Sequence, residues 1–390
     1  MKGQKLALFA MLAACGSFAA GQLHAASEGD PPRLKIKAEA PLTLPDNMYF
    51  GEVDSVAVNS KGHVFVFQRG NTSGPAYGAT AAQLLEFDLT GKFVREIGHN
   101  LYSFSFAHAV RVDKDDNIWT VDKGSNTVVQ FNPEGRPIAN YGRKIEASDY
   151  RPPPSNDQPR DLKAPVHRLG TFNQPTDVAF DSKGNFYVSD GYENSRVAKI
   201  NKDGGWIKSW GERGTGPGQF LTPHGVVVDN KDNVYVADRG NARIQVFNTD
   251  GKFLRQFTLQ NQVPYYPVKE GEPNPFPMFI PGTPPKPRGD DPNVPKAYPE
   301  APPPGLTGVP GAPDAMCITP GANQVLYIAD VNPSRVYKVS LEGKVLGMFG
   351  NPGGKLGEFR AIHALHCQDD KTVWVADMFN WRAQKITIQQ

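Results

Sequence analysis

VVVDNKDNVYVADRGNARIQVFNTDG, residues 226–251, decides the fold. It opens with a β-branched run, turns at Asp-Asn, runs on as an alternating apolar strand, breaks at a polar loop, and closes with a third strand and Asp-Gly. Strands of this length between such turns predict an antiparallel meander. The pattern recurs. Residues 110–135 read VRVDKDDNIWTVDKGSNTVVQFNPEG and residues 178–204 read VAFDSKGNFYVSDGYENSRVAKINKDG. Residues 317–343 and 365–388 carry two further copies, and a first copy runs from Val56 to Gly70 and resumes at Leu84 after an insertion.

A unit of about 40 residues cannot bury both faces of a four-stranded sheet alone, so the copies must stack around an axis. The expected fold is all-β, a six-bladed propeller. The sixth copy stops after its third strand at Ile388, and Arg33 to Lys37 is an unassigned β-like stretch. The N-terminal segment is therefore expected to supply the missing outer strand and remove a free edge.

The 390 residues carry a formal charge of +2, which gives no footprint for nucleic acid. Residues 1–26 read as an export signal: two lysines, an apolar stretch, then small residues before Ser27. Leu12-Ala13-Ala14-Cys15 competes as a lipoprotein signal with a lipid anchor on Cys15. Either reading gives an exported protein, periplasmic, secreted or lipid-anchored, with no transmembrane span. Residues 27–390 then form a single domain, with proline-rich insertions at about 144–170 and 259–313. Cys317 and Cys367 lie in first strands whose registers differ by one, so they are expected to face apart as buried thiols.

In a propeller the first strand of every blade lines the axis, and the loop between the second and third strands gathers at the same end. Just before the first strand the blades read Asp54, His108, Thr176, His224, Asp314 and His363. Histidines on alternate blades point to the axis with near threefold spacing. Three protein ligands plus an open position is the pattern of a catalytic zinc. His366 follows His363 by three along the strand and should face elsewhere. In the loops, the recurring Asp122, Asp190, Asp238, Asp330 and Asp377 read as scaffold, whereas Arg69, Tyr192 and Arg239 are singular. They should rim the histidine end, arginine suiting a carboxylate and the phenol serving as a base.

These residues resemble the peptidyl-α-hydroxyglycine α-amidating lyases, secreted propellers of NHL repeats. The closest passages are QPTDVAF at Gln174, SDGYENSR at Ser189, PHGVVV at Pro223 and VADRGNARIQVF at Val236. The resemblance implies zinc on His108, His224 and His363, with Tyr192 as base and Arg69 and Arg239 on the substrate. The substrate would be a small peptide or amide bearing a carbinol, cleaved at its C–N bond to an amide and glyoxylate. It also implies calcium on the carbonyls of Val56 and Val110, although Ala364 stands where the family has an aspartate. A non-catalytic envelope propeller that binds a peptide or glycan is the alternative.

Overall fold

The computed structural model describes residues 31–70, 82–144, 170–259, 262–263, 311–330 and 333–389. The export signal and nearly all of both proline-rich insertions lie outside the described residues.

Six four-stranded antiparallel sheets follow one another around a ring. From inner to outer strand, blade one is Val53–Val58, Val64–Gln68, Gln83–Phe87 and Phe93–Ile97. Blade two is Ala107–Val112, Ile118–Asp122, Thr127–Phe131 and Pro137–Gly142, and blade three Asp177–Phe180, Phe186–Asp190, Arg196–Ile200 and Trp206–Trp210. Blade four is Pro223–Val228, Val234–Asp238, Arg243–Phe247 and Phe253–Phe257, and blade five Ala315–Ile318, Leu326–Ala329, Val336–Val339 and Val345–Phe349. Blade six has Ile362–Cys367, Thr372–Asp377 and Arg382–Ile388, and its outer strand is the N-terminal Ile36–Glu39.

That closing strand runs antiparallel to the last, Ile36 opposite Ile388 and Glu39 opposite Lys385. It begins three residues later than the sequence suggests. Arg33 is spent on blade five instead, bridging Met348 and donating from Nη1 to the Gly350 carbonyl at 2.9 Å. The chain end thus fastens two blades and leaves the ring no open strand edge at its seam.

Second strands are buried on both faces because each blade is sandwiched between two others. Buried side chains fall into six clusters, one between each pair of neighbouring blades. Between blades five and six this packing contains a disulfide, Cys317–Cys367, with Cα atoms 5.5 Å apart. The expectation of two separate thiols is corrected. The one-residue difference in register does aim them at opposite blade faces, but across a stack the facing surfaces of two blades are opposite faces. The mismatch is what lets them meet.

The recurring aspartates do serve as scaffold. Each buried carboxylate takes an amide from the connection entering its own blade: Asp122 from Ser105 and Phe106, Asp190 from Asn173, Asp238 from Leu221, Asp330 from Gly311 and Asp377 from Arg360. Blade one uses Gln68, whose Oε1 accepts from the Gly51 amide at 2.7 Å. These bonds fix the height of every inner strand against its own loop.

Candidate metal centre and active site

Four inner strands carry a β-bulge near their start, between Val53 and Ser55, Ala107 and Ala109, Pro223 and Gly225, and Ile362 and Ala364. The extra residue in each is Asp54, His108, His224 or His363. The histidines therefore sit inside the strands rather than just ahead of them. A bulge residue is released from the alternation of the ladder and can be re-aimed, here toward the axis.

Each imidazole is held by the blade that follows. His108 Nδ1–H donates to the Thr176 carbonyl at 2.6 Å, His224 Nδ1–H to Asp314 at 2.8 Å, and His363 Nδ1–H to Asp54 at 2.9 Å. Since a carbonyl only accepts, all three rings carry their proton on Nδ1, and every Nε2 keeps its lone pair. The ligand atoms lie within 4.8 Å of one another, and the ring centroids are 4.6 to 5.3 Å apart. All three histidines are held well below the usual imidazole range: burial is the main cause, helped at His108 by the other two imidazoles and at His224 and His363 by Arg239 and Arg69 respectively. Three neutral imidazoles with converging lone pairs are the donor set that fits zinc. Below them the channel holds a cavity of about 10 Å³, lined in part by Thr176, Asp177 and Asp314.

Tyr192 reaches this centre from blade three. Its hydroxyl lies 3.2 Å from His224 Nε2 and 3.4 Å from His108 Nε2. The preceding Gly191 is required, because a Cβ there would stand 1.9 Å from the Pro223 carbonyl of blade four. Arg239 lies with its guanidinium 5.4 Å from the Tyr192 ring and pairs with Asp314 at 2.9 Å. Burial works against its charge, but Tyr192 and Asp314 carry its pKa above the ordinary value.

Arg69 is buried and committed to the scaffold of the mouth. It stands 2.6 Å from Asp54 and 3.2 Å from Glu52, donates to the Ala107 carbonyl at 3.0 Å, and lies 3.8 Å over the Phe106 ring. Burial pushes the Asp54 carboxyl well above its usual range, and Arg69 pulls it back. The structure thus brings together His108, His224, His363, Tyr192, Arg69 and Arg239 at one end of the channel.

The family profile described as NHL repeat matches residues 172–200 and 220–247, within blades three and four. The chain is 33% identical over 230 residues to the peptidylglycine alpha-amidating monooxygenase of Rattus norvegicus, a match that takes in 53% of this chain and 22% of that protein. It is 28% identical over 245 residues to peptidyl-alpha-hydroxyglycine alpha-amidating lyase 1 of Drosophila melanogaster, covering 55% of this chain and 41% of that one. A streptogramin B lyase structure shares the fold at a TM-score of 0.52 and 12% identity, over 91% of this chain and 98% of that one.

The chain is a six-bladed propeller with NHL repeats matched in blades three and four, and it resembles the amidating lyases. It spans about a fifth to two fifths of the length of these curated relatives.

The calcium site that the resemblance implies is altered in this chain. Ala364 offers no carboxylate, and the Val110 carbonyl of blade two already accepts the Ser55 hydroxyl of blade one at 3.4 Å. Arg111 crosses the channel instead, with Nε and Nη2 on the Asp177 carboxylate at 2.8 and 2.7 Å and Nη1 on the Leu365 carbonyl at 2.9 Å. A guanidinium and its carboxylate thus supply the charge that ties blades two, three and six.

One residue at the mouth escapes the sequence reading. Lys123 directly follows the scaffold Asp122, as Arg239 follows Asp238 and Arg69 follows Gln68. It is the same loop position on a third blade, so aligning that position alone across all six repeats would have found it. Its Nζ lies 3.6 Å from the Tyr192 ring centroid.

Proposed function

We propose that this protein is an exported, zinc-dependent lyase that cleaves the C–N bond of a peptidyl-α-hydroxyglycine or a similar carbinolamide to an amide and glyoxylate. The observation that carries the reading is the trio of buried, neutral imidazoles with every Nδ1 spent on a backbone carbonyl and a tyrosine hydroxyl standing at two of the three Nε2 atoms.

His108, His224 and His363 would hold the ion. Zinc supplies a Lewis acid that polarises the substrate's oxygen. Tyr192 would act as the base that takes the proton of the carbinol hydroxyl, and that proton would pass to the departing nitrogen, so the bond breaks without net change of charge. As the carbinol C–O bond becomes the aldehyde of glyoxylate, the C–N electron pair leaves with the amide nitrogen. Arg69 and Arg239, each paired with carboxylates at the mouth, would present guanidinium N–H groups toward the developing oxyanion. Because Glu52, Asp54 and Asp314 fix both guanidiniums, neither has to reorganise during the step.

Export is supported by the signal-like residues 1–26 and by the disulfide, which persists in oxidising compartments. Among the described residues no helix is long and apolar enough to cross a membrane.

The test is release of glyoxylate from N-acyl-α-hydroxyglycine by the zinc-loaded protein. Activity that disappears on chelation and returns with zinc is expected. Activity that persists in metal-free protein would sink the reading.

A further inference from the structure

Three blades place a cation at the loop position after the scaffold residue, Arg69, Lys123 and Arg239, and the three differ in how their charge is met. Arg69 has Glu52 and Asp54, and Arg239 has Asp314. Among the described residues no carboxylate lies within ion-pair distance of Lys123. Its half-buried ammonium instead touches two aromatic faces, Tyr192 at 3.6 Å and Phe106 at 5.4 Å. Glu193 is exposed and acts on it only at a distance.

We propose that Lys123 is a specificity residue of the mouth, a receiver for the carboxylate of an anionic substrate bound against Tyr192. The proposal rests on the lyase reading for the identity of that carboxylate, the one that leaves as glyoxylate. An ammonium with three donors, held beside the reacting phenol with no carboxylate at ion-pair distance among the described residues, is a preorganised counter-charge. Burial, with Arg69 and Arg239 nearby, pushes the amine down to about 8, so an anion at the ammonium would favour its charged form. The aromatic contacts hold the stem and aim the head without neutralising it.

The experiment compares wild type, Lys123→Met and Lys123→Arg, all zinc-loaded, on N-acyl-α-hydroxyglycine and on its uncharged carboxamide. The expected result for Lys123→Met is a KM for the carboxylate substrate raised about tenfold to a hundredfold. Its kcat should stay within about threefold, its KM for the carboxamide should be unchanged, and Lys123→Arg should recover part of the loss. A loss in Lys123→Met that falls equally on both substrates and on kcat would overturn the proposal in favour of a packing role. Calorimetric titration with glyoxylate separates the two claims. Lys123-dependent binding without turnover would keep the receiver and remove the lyase reading, and turnover with unchanged KM in Lys123→Met would do the reverse.

Discussion

Two histidines on one strand, His363 and His366, show how differently the propeller treats the same side chain at the two ends of its channel. His363 occupies a bulge, donates Nδ1–H to the Asp54 carbonyl, and turns Nε2 to two other imidazoles. His366 sits in regular pairing opposite Trp374, on a chamber of about 190 Å³ walled by valines of three blades, Met316, the Cys317–Cys367 disulfide and Arg111. Burial, helped by Arg111, pushes it down to about 3. Residue type is equal in both places. Convergence and an oriented Nδ1 distinguish the candidate ligand set from His366.

The largest effect should come from the converging set. His224→Ala should lose the metal and lower glyoxylate release by about three orders of magnitude or more, several kcal/mol of lost charge stabilisation. Elemental analysis and kinetics on the same sample would check it. Tyr192→Phe should keep the metal and lose about a hundredfold to ten-thousandfold in kcat, since it removes only the proton acceptor. Loss of metal in that variant would make Tyr192 a ligand and undo the division of roles.

At the other end the effects should be on stability alone. Replacing both Cys317 and Cys367 by serine should cost about 2 to 4 kcal/mol in denaturant unfolding while metal content stays at wild type. The smallest effect concerns His366. As pH falls below about 6.5 the unfolded chain binds a proton on this imidazole and the folded chain does not until about 3, so stability is lost across that window. His366→Leu should remove a contribution of roughly 2 kcal/mol to the fall in stability between pH 6 and 4, leaving zinc untouched. Parallel pH profiles in wild type and variant would contradict the burial argument.

Blade number and order were legible because each repeat must bury two faces, which imposes one pattern on VVVDNKDNVYVAD and its counterparts. The histidine trio was legible for the same reason: equivalent positions in a ring point to one axis. What single-strand reasoning could not give was anything that arises between blades. The Cys317–Cys367 bond depends on which faces meet in a stack, the Nδ1 bonds reach carbonyls of the following blade, and Arg111 ties three blades through a contact far apart in sequence. The bulges that carry the histidines were hidden too, because one extra residue leaves no mark on composition.

The most direct test of the central claim is metal content per chain in wild type, His363→Ala and His366→Ala, purified and supplied with zinc identically. One zinc in wild type, none in His363→Ala and one in His366→Ala is the predicted result. Zinc retained without His363, or no zinc in the wild type, would contradict the account.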